Sequence, residues 1–133
     1  MDSTNSGENL IVIKNKVGFF CERTENEAKA EILAHRCEQR LPDHERIVRY
    51  LGTGHALFIA PTIVFDCASE EETEIGPLKI LTDGTYAWTS DLAYYVKRYN
   101  YPLPVQFVEH MRGNLWRCPE IPDLSRDRVA GMV

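Results

Sequence analysis

The spacing of apolar and polar positions changes several times along the chain, and each change marks an element. Between Leu78 and Met111 the changes are densest. Leu78, Ile80 and Thr82 share one side of a period-two pattern, Asp83-Gly84 is a turn pair that accepts positive φ, and Tyr86 and Trp88 resume the alternation. That pattern predicts a β-hairpin. Thr89, Ser90 and Asp91 then offer N-cap oxygens and a first-turn carboxylate, and Leu92, Tyr95, Val96 and Tyr99 recur at helical spacing. A helix should therefore follow the hairpin with almost no loop, and Pro102 and Pro104 mark the start of another.

Upstream, Leu10 to Ile13 and Val17 to Cys21 are β-branched and aromatic on either side of Asn15-Lys16, which predicts a first hairpin. Thr24 with Glu27 forms a capping-box pattern, and the following segment predicts a helix over about 25–41 with Ala30, Leu33, Ala34, Cys37 and Leu41 on its apolar stripe. Pro42 stops that helix. Asp43 is placed to cap a shorter one over 44–51, with Ile47, Val48 and Leu51 on its inner face and Gly52 at its end. Ala56 to Ala60 and Thr62 to Phe65 read as two strands, or as one strand with an edge break at Pro61. The tail after Cys118 carries Pro119 and Pro122 and reads as irregular. Met1 to Glu8 is small and polar, a disordered tail in this reading, which leaves 9–133 as one domain. Strands adjoin strands through short turns instead of alternating with helices. The expected fold is α+β: an antiparallel sheet of about five to six strands, with three to four helices packed mainly on one face.

The residues Thr82, Asp83, Gly84, Tyr86, Trp88, Asp91, Leu92, Tyr94 and Tyr95, with Pro102, Pro104 and His110 downstream, form a TDG-x-Y-x-W stretch followed by a proline-marked helix. Over about residues 45 to 119 the chain resembles a family of small bacterial immunity-type proteins found beside polymorphic toxins. It departs from that pattern at Tyr86, where tryptophan is expected, and at Thr89, where proline is common. The resemblance implies a cytoplasmic immunity protein that binds a cognate toxin domain and masks its active surface. Such a toxin would be a deaminase, a nuclease or an ADP-ribosyltransferase. None of the matching residues is a known catalytic group, so the resemblance implies a role without an active site.

Composition bounds the rest. The 133 residues are 44% hydrophobic and 26% charged, enough for a core without metals or crosslinks, and the net charge of −5 argues against a nucleic-acid binder. Between Asp66 and Asp91 the acids are Asp66, Glu70, Glu71, Glu72, Glu74, Asp83 and Asp91, against the single base Lys79. This is either a solvated loop or an acidic face for a basic cleft. The acids from Asp66 to Asp83, with the aromatics Tyr86, Tyr94 and Tyr101, are the toxin-interface candidates. Tyr95 and Tyr99 share a stripe with Leu92 and should be buried; Trp88 belongs to the core, and Trp116 closes its far side.

Other chemistry is weakly signalled. Cys21, Cys37, Cys67 and Cys118 never approach C-x-x-C spacing, which argues against zinc, and no apolar run is long enough to span a bilayer. No leader pattern is visible, and free thiols in a reducing cytosol are expected, although an even number leaves an oxidised pair open. Glycine-rich phosphate loops are missing; Gly52, Gly54, Gly76 and Gly84 read as helix ends and turns, and no cofactor is indicated. An enzyme would have to recruit Cys37 or Cys67 with His35, His44, His55 or His110, and no motif fixes such a geometry. The expectation is a non-enzyme. A small regulatory protein-binding domain is the alternative, and a Cys/His-dependent enzyme comes third.

Overall fold

The computed structural model describes residues 11–12, 15–121 and 129–130. The expected N-terminal tail, Leu10 and Ile13 of the first predicted hairpin, and most of the irregular tail lie outside these residues. Elements run in the order β1 (Ile11–Val12), β2 (Asn15–Val17), a 3-10 turn (Phe20–Glu22), α1 (Glu25–His35), α2 (His44–Gly52), β3 (His55–Phe65), β4 (Glu74–Thr82), β5 (Tyr86–Thr89), α3 (Leu92–Tyr99), α4 (Val105–Gly113) and β6 (Val129–Ala130).

The fold is α+β, but its sheet is smaller and more mixed than the pattern predicted. Four strands pair in the order β2-β5-β4-β3, and β1 pairs separately with β6. The Leu78–Trp88 hairpin forms as expected, with Thr82 opposite Ala87 and Leu81 opposite Trp88. Gly84 takes φ 98° at its tip, a conformation open to glycine. Among the described residues the first predicted hairpin does not form. Asn15 to Val17 instead lies parallel to β5, Asn15 opposite Tyr86 and Val17 opposite Trp88, while Phe20 to Glu22 curls into the 3-10 turn. The supposed turn residues Asn15-Lys16 are strand, because β5 offers a partner that local sequence cannot reveal.

The capping box of α1 is present, with Thr24 Oγ1 accepting from Glu27 N–H at 3.1 Å and Glu27 Oε1 accepting from Thr24 N–H at 2.9 Å. The helix ends six residues earlier than predicted. Arg36 is extended, Cys37 N–H bonds the Tyr99 carbonyl at 3.0 Å, and Asn100 Nδ2 donates to the Cys37 carbonyl at 2.9 Å. The end of α3 thus claims the backbone that would have continued α1. Its inner face is Ala28 and Ile32; Ala30, Ala34 and Cys37 are exposed, and Leu33 and Leu41 only half-buried. α2 matches its expected span, yet Asp43 makes no cap bond, its carboxylate pairing with Arg46 and Arg112 instead. Thr89 and Ser90 likewise do not cap α3. Ser90 Oγ accepts from Lys79 N–H and donates to the Pro77 carbonyl, both at 2.9 Å, which stitches the helix start to β4.

The core centres on Trp88, which is fully buried between Tyr50 of α2 and Phe107 of α4, and its Nε1 donates to the Leu51 carbonyl at 2.9 Å. Leu92, Tyr95, Val96 and Tyr99 line the inner face of α3 as their spacing predicted. Trp116 packs at the core margin beneath Arg46 and Arg112. No helix among the described residues is long and apolar enough to cross a membrane.

Candidate functional site

The run from Ala56 to Phe65 forms one strand, β3, with Pro61 inside it. Its pairing with β4 jumps from Ile59–Lys79 to Ile63–Pro77, so the ladder is interrupted around the proline that has no N–H to give. Among the described residues β3 pairs on one side alone. An edge strand cannot bury both faces of a continuous apolar run. Ile59 is 59% exposed, and Phe58, Ile63 and Phe65 also stand out from the surface. A cleft of about 300 Å³ runs along Ala56 to Ile59. Exposed apolar residues along a strand edge leave both side-chain area and backbone groups open to a partner.

The acidic segment follows directly. Asp66 is only 1% exposed and acts as an internal anchor. Its Oδ2 accepts the hydroxyls of Tyr94 at 2.7 Å and Tyr99 at 2.8 Å, and its Oδ1 accepts Ala68 N–H at 2.8 Å. Asp66 N–H bonds the Thr73 carbonyl at 2.8 Å, closing the loop at its neck. Burial, with Asp66 adjacent, pushes the Tyr99 hydroxyl up to about 12 and raises that of Tyr94. The loop is thereby tied to α3; Glu70, Glu71 and Glu72 on it and Glu74 at the start of β4 are exposed. Those four glutamates sit at the end of β3. A second cleft of about 300 Å³ opens between Glu70 and Glu72 on the loop and Glu25 and Lys29 on α1.

The other interface candidates are placed elsewhere. Asp83 is 3% exposed. It accepts Tyr86 N–H at 2.7 Å and Thr85 N–H at 2.9 Å within the hairpin turn, and Tyr50 Oη donates to it at 2.6 Å. His110 Nε2 lies 3.3 Å from the same carboxylate, and Asn114 Nδ2 donates to Tyr50 Oη at 3.0 Å. Tyr86 stacks on Phe107 with ring centroids 4.4 Å apart. Tyr101 is half-buried, its hydroxyl donating to Glu31 at 2.8 Å. Asp66 and Asp83 are therefore corrected from surface acids to buried acceptors. Tyr86, Tyr94 and Tyr101 bury much of their rings in packing. The exposed row on β3 was missed, although Pro61 within an unalternating apolar run was a usable signal for it.

The residues of the enzyme alternative do not converge. His35 bonds the Glu31 carbonyl, His44 the Val96 carbonyl and His55 the Pro119 carbonyl, at 3.0, 3.1 and 2.7 Å. Cys37 Sγ lies toward the His35 carbonyl, and Cys67 lies against the Tyr95 hydroxyl. Among the described residues no cysteine sulfur meets an imidazole nitrogen, and no three His, Cys, Asp or Glu side chains are grouped to hold a metal. All four cysteines are free thiols, and burial raises Cys67 and Cys118 above their ordinary range, which disfavours the nucleophilic thiolate. Gly54 does not serve a turn either; it lets Trp88 approach, and Gly76 lies inside β4. In comparisons with protein-family models, curated proteins and solved structures, nothing matches the chain.

Proposed function

We propose that this chain is an immunity-type inhibitor that docks β3 and the acidic loop onto a basic toxin domain and masks its active surface. One observation carries the reading: an exposed apolar row on an edge strand runs into exposed Glu70, Glu71 and Glu72 on a loop tied down through Asp66, with Glu74 at the start of β4 beside them. The apolar residues supply desolvated contact area, and the carboxylates steer a basic partner and reject acidic ones. A domain that acts on nucleic acid or a nucleotide presents such a basic surface, and covering it blocks substrate without any catalytic group in the inhibitor. The resemblance in the hairpin and α3 is what directs the partner assignment to a toxin. An inhibitor of this kind works in the cytoplasm, where the toxin would otherwise act.

The test pairs capture with protection. The tagged chain should retain a toxin domain from its host at near-equal stoichiometry, and co-expression should rescue cells from that domain. The double variant Ile59→Lys/Ile63→Lys should weaken binding by about 100-fold, a loss near 2.7 kcal/mol. Reversal of Glu70, Glu71 and Glu72 to lysine should weaken it by about tenfold and flatten its salt dependence. These positions are exposed, so folding should shift by no more than about 0.5 kcal/mol. Capture without rescue would favour the regulatory domain, and wild-type affinity in both variants would overturn the face.

A further inference from the structure

A cavity of about 200 Å³ opens beside this face, where the 3-10 turn, α1, β3 and α3 meet. Its apolar walls are Phe20, Ala28, Val64 and Phe65, and Asp91 lines it as well. Asp91 is 2% exposed, yet no basic side chain pairs with it among the described residues. Arg23 at the rim turns instead toward Glu31, at 3.7 Å. Helix capping does not account for the carboxylate: Asp91 is the N-cap residue of α3 but makes no side-chain cap bond. Its side-chain partners are the Thr89 hydroxyl, donating to Oδ1 at 2.6 Å, and its own backbone N–H. Burial raises this carboxyl above the ordinary carboxylate range, and a cationic partner would restore its charged form.

We propose that this cavity receives a lysine side chain, its ammonium on Asp91 and its alkyl stem against Phe20 and Phe65. The volume lies below the roughly 300 Å³ at which small-molecule clefts begin, a size for one side chain and not for a cofactor. With Thr89 occupying one oxygen, Asp91 offers a point acceptor to an ammonium and not the paired acceptors that suit a guanidinium fork. The mouth is open at Cys21 and Phe65, and Phe65 and Glu25 are shared with the acidic cleft, so a cation is drawn along glutamates before it enters. The lysine belongs to the docked toxin domain, an assignment that rests on the inhibitor reading; affinity for an alkylammonium group does not.

Amide NMR of the full chain separates the two. Nα-acetyl-lysine N-methylamide should shift the Cys21, Cys67 and Tyr95 resonances saturably, while the norleucine analogue should not and the arginine analogue should bind at least tenfold more weakly. Asp91→Asn should weaken the lysine probe at least tenfold, and Cys21→Trp, which fills the mouth from an exposed position, should abolish its effect. Equal response to norleucine, unchanged affinity in Asp91→Asn, or no shift with the lysine probe would overturn the cavity assignment. Asp91→Asn should also lose about tenfold in affinity for the captured toxin domain. Wild-type affinity there, beside a failing Ile59→Lys/Ile63→Lys variant, would overturn the lysine contact and leave the inhibitor reading intact. Probe binding with no toxin partner would uphold the cavity and overturn that reading.

Discussion

A methyl group at Gly54 would sit 2.6 Å from Trp88 Cζ2 and 3.0 Å from Leu81 Cβ. The indole cannot swing aside, because its Nε1 is bonded to the Leu51 carbonyl and its other faces meet Tyr50 and Phe107. Gly54→Ala should therefore destabilise the protein by about 1–3 kcal/mol, read as a lower urea midpoint at unchanged slope. The glycine was visible in the sequence but its reason was not, since the crowding comes from residues on β4 and β5. The acids show the same limit. Asp66, Asp83 and Asp91 look like the four glutamates among them when read along the chain, yet each is buried. What separates them is what the fold packs around them: the hydroxyls of Tyr94 and Tyr99 on Asp66, that of Tyr50 on Asp83, and, for Asp91 with its local Thr89 partner, burial itself.

At the scale of the element, local signals hold where the bonds are local. The capping box of α1 joins residues three apart, so it could be read directly. Thr24→Ala should remove about 1 kcal/mol of stability, measurable by denaturant titration, and Thr24→Ser should restore most of it. The other end of that helix is set by α3 through Cys37, at a separation no periodicity carries. β3 falls between these cases. Its β-branched composition and Pro61 gave two strands or one with an edge break, but the exposure of Ile59, Ile63 and Phe65 depends on what else covers the sheet. The candidate face was accordingly half legible: the glutamates by charge, the apolar row only after the strand had been placed.

Across the whole molecule, tyrosines tie the helices to the sheet and the acidic loop. Burial raises five of the six, Tyr50, Tyr94, Tyr95, Tyr99 and Tyr101, and the Asp66, Asp83, Cys67 or Glu31 neighbours add to it. A hydroxyl whose folded pKa exceeds its unfolded value contributes stability that is whole below about pH 10 and is lost as pH rises through the folded value. For Tyr99 that window ends at about 12. Tyrosinate absorbance should thus lag behind a free-tyrosine curve and then rise together with the loss of secondary structure above about pH 10. Ionisation of those five near pH 10 in a fully folded protein would contradict the packing.

The division between what the chain specified locally and what its tertiary structure decided follows the range of the interactions. Periodicity, turn chemistry and a capping box act over a few residues, and they sufficed for the α+β class, the Leu78–Trp88 hairpin, α2, and the buried stripe of α3. Parallel pairing of Asn15–Val17 with Tyr86–Trp88 joins segments about 70 residues apart, and no local preference anticipates it. The early end of α1, the burial of three carboxylates and the cavity at Asp91 likewise exist because distant groups meet. Desolvation is a property of the assembled surface, so an aspartate becomes an anchor, a loop acid or the floor of a pocket only once the fold has chosen its neighbours.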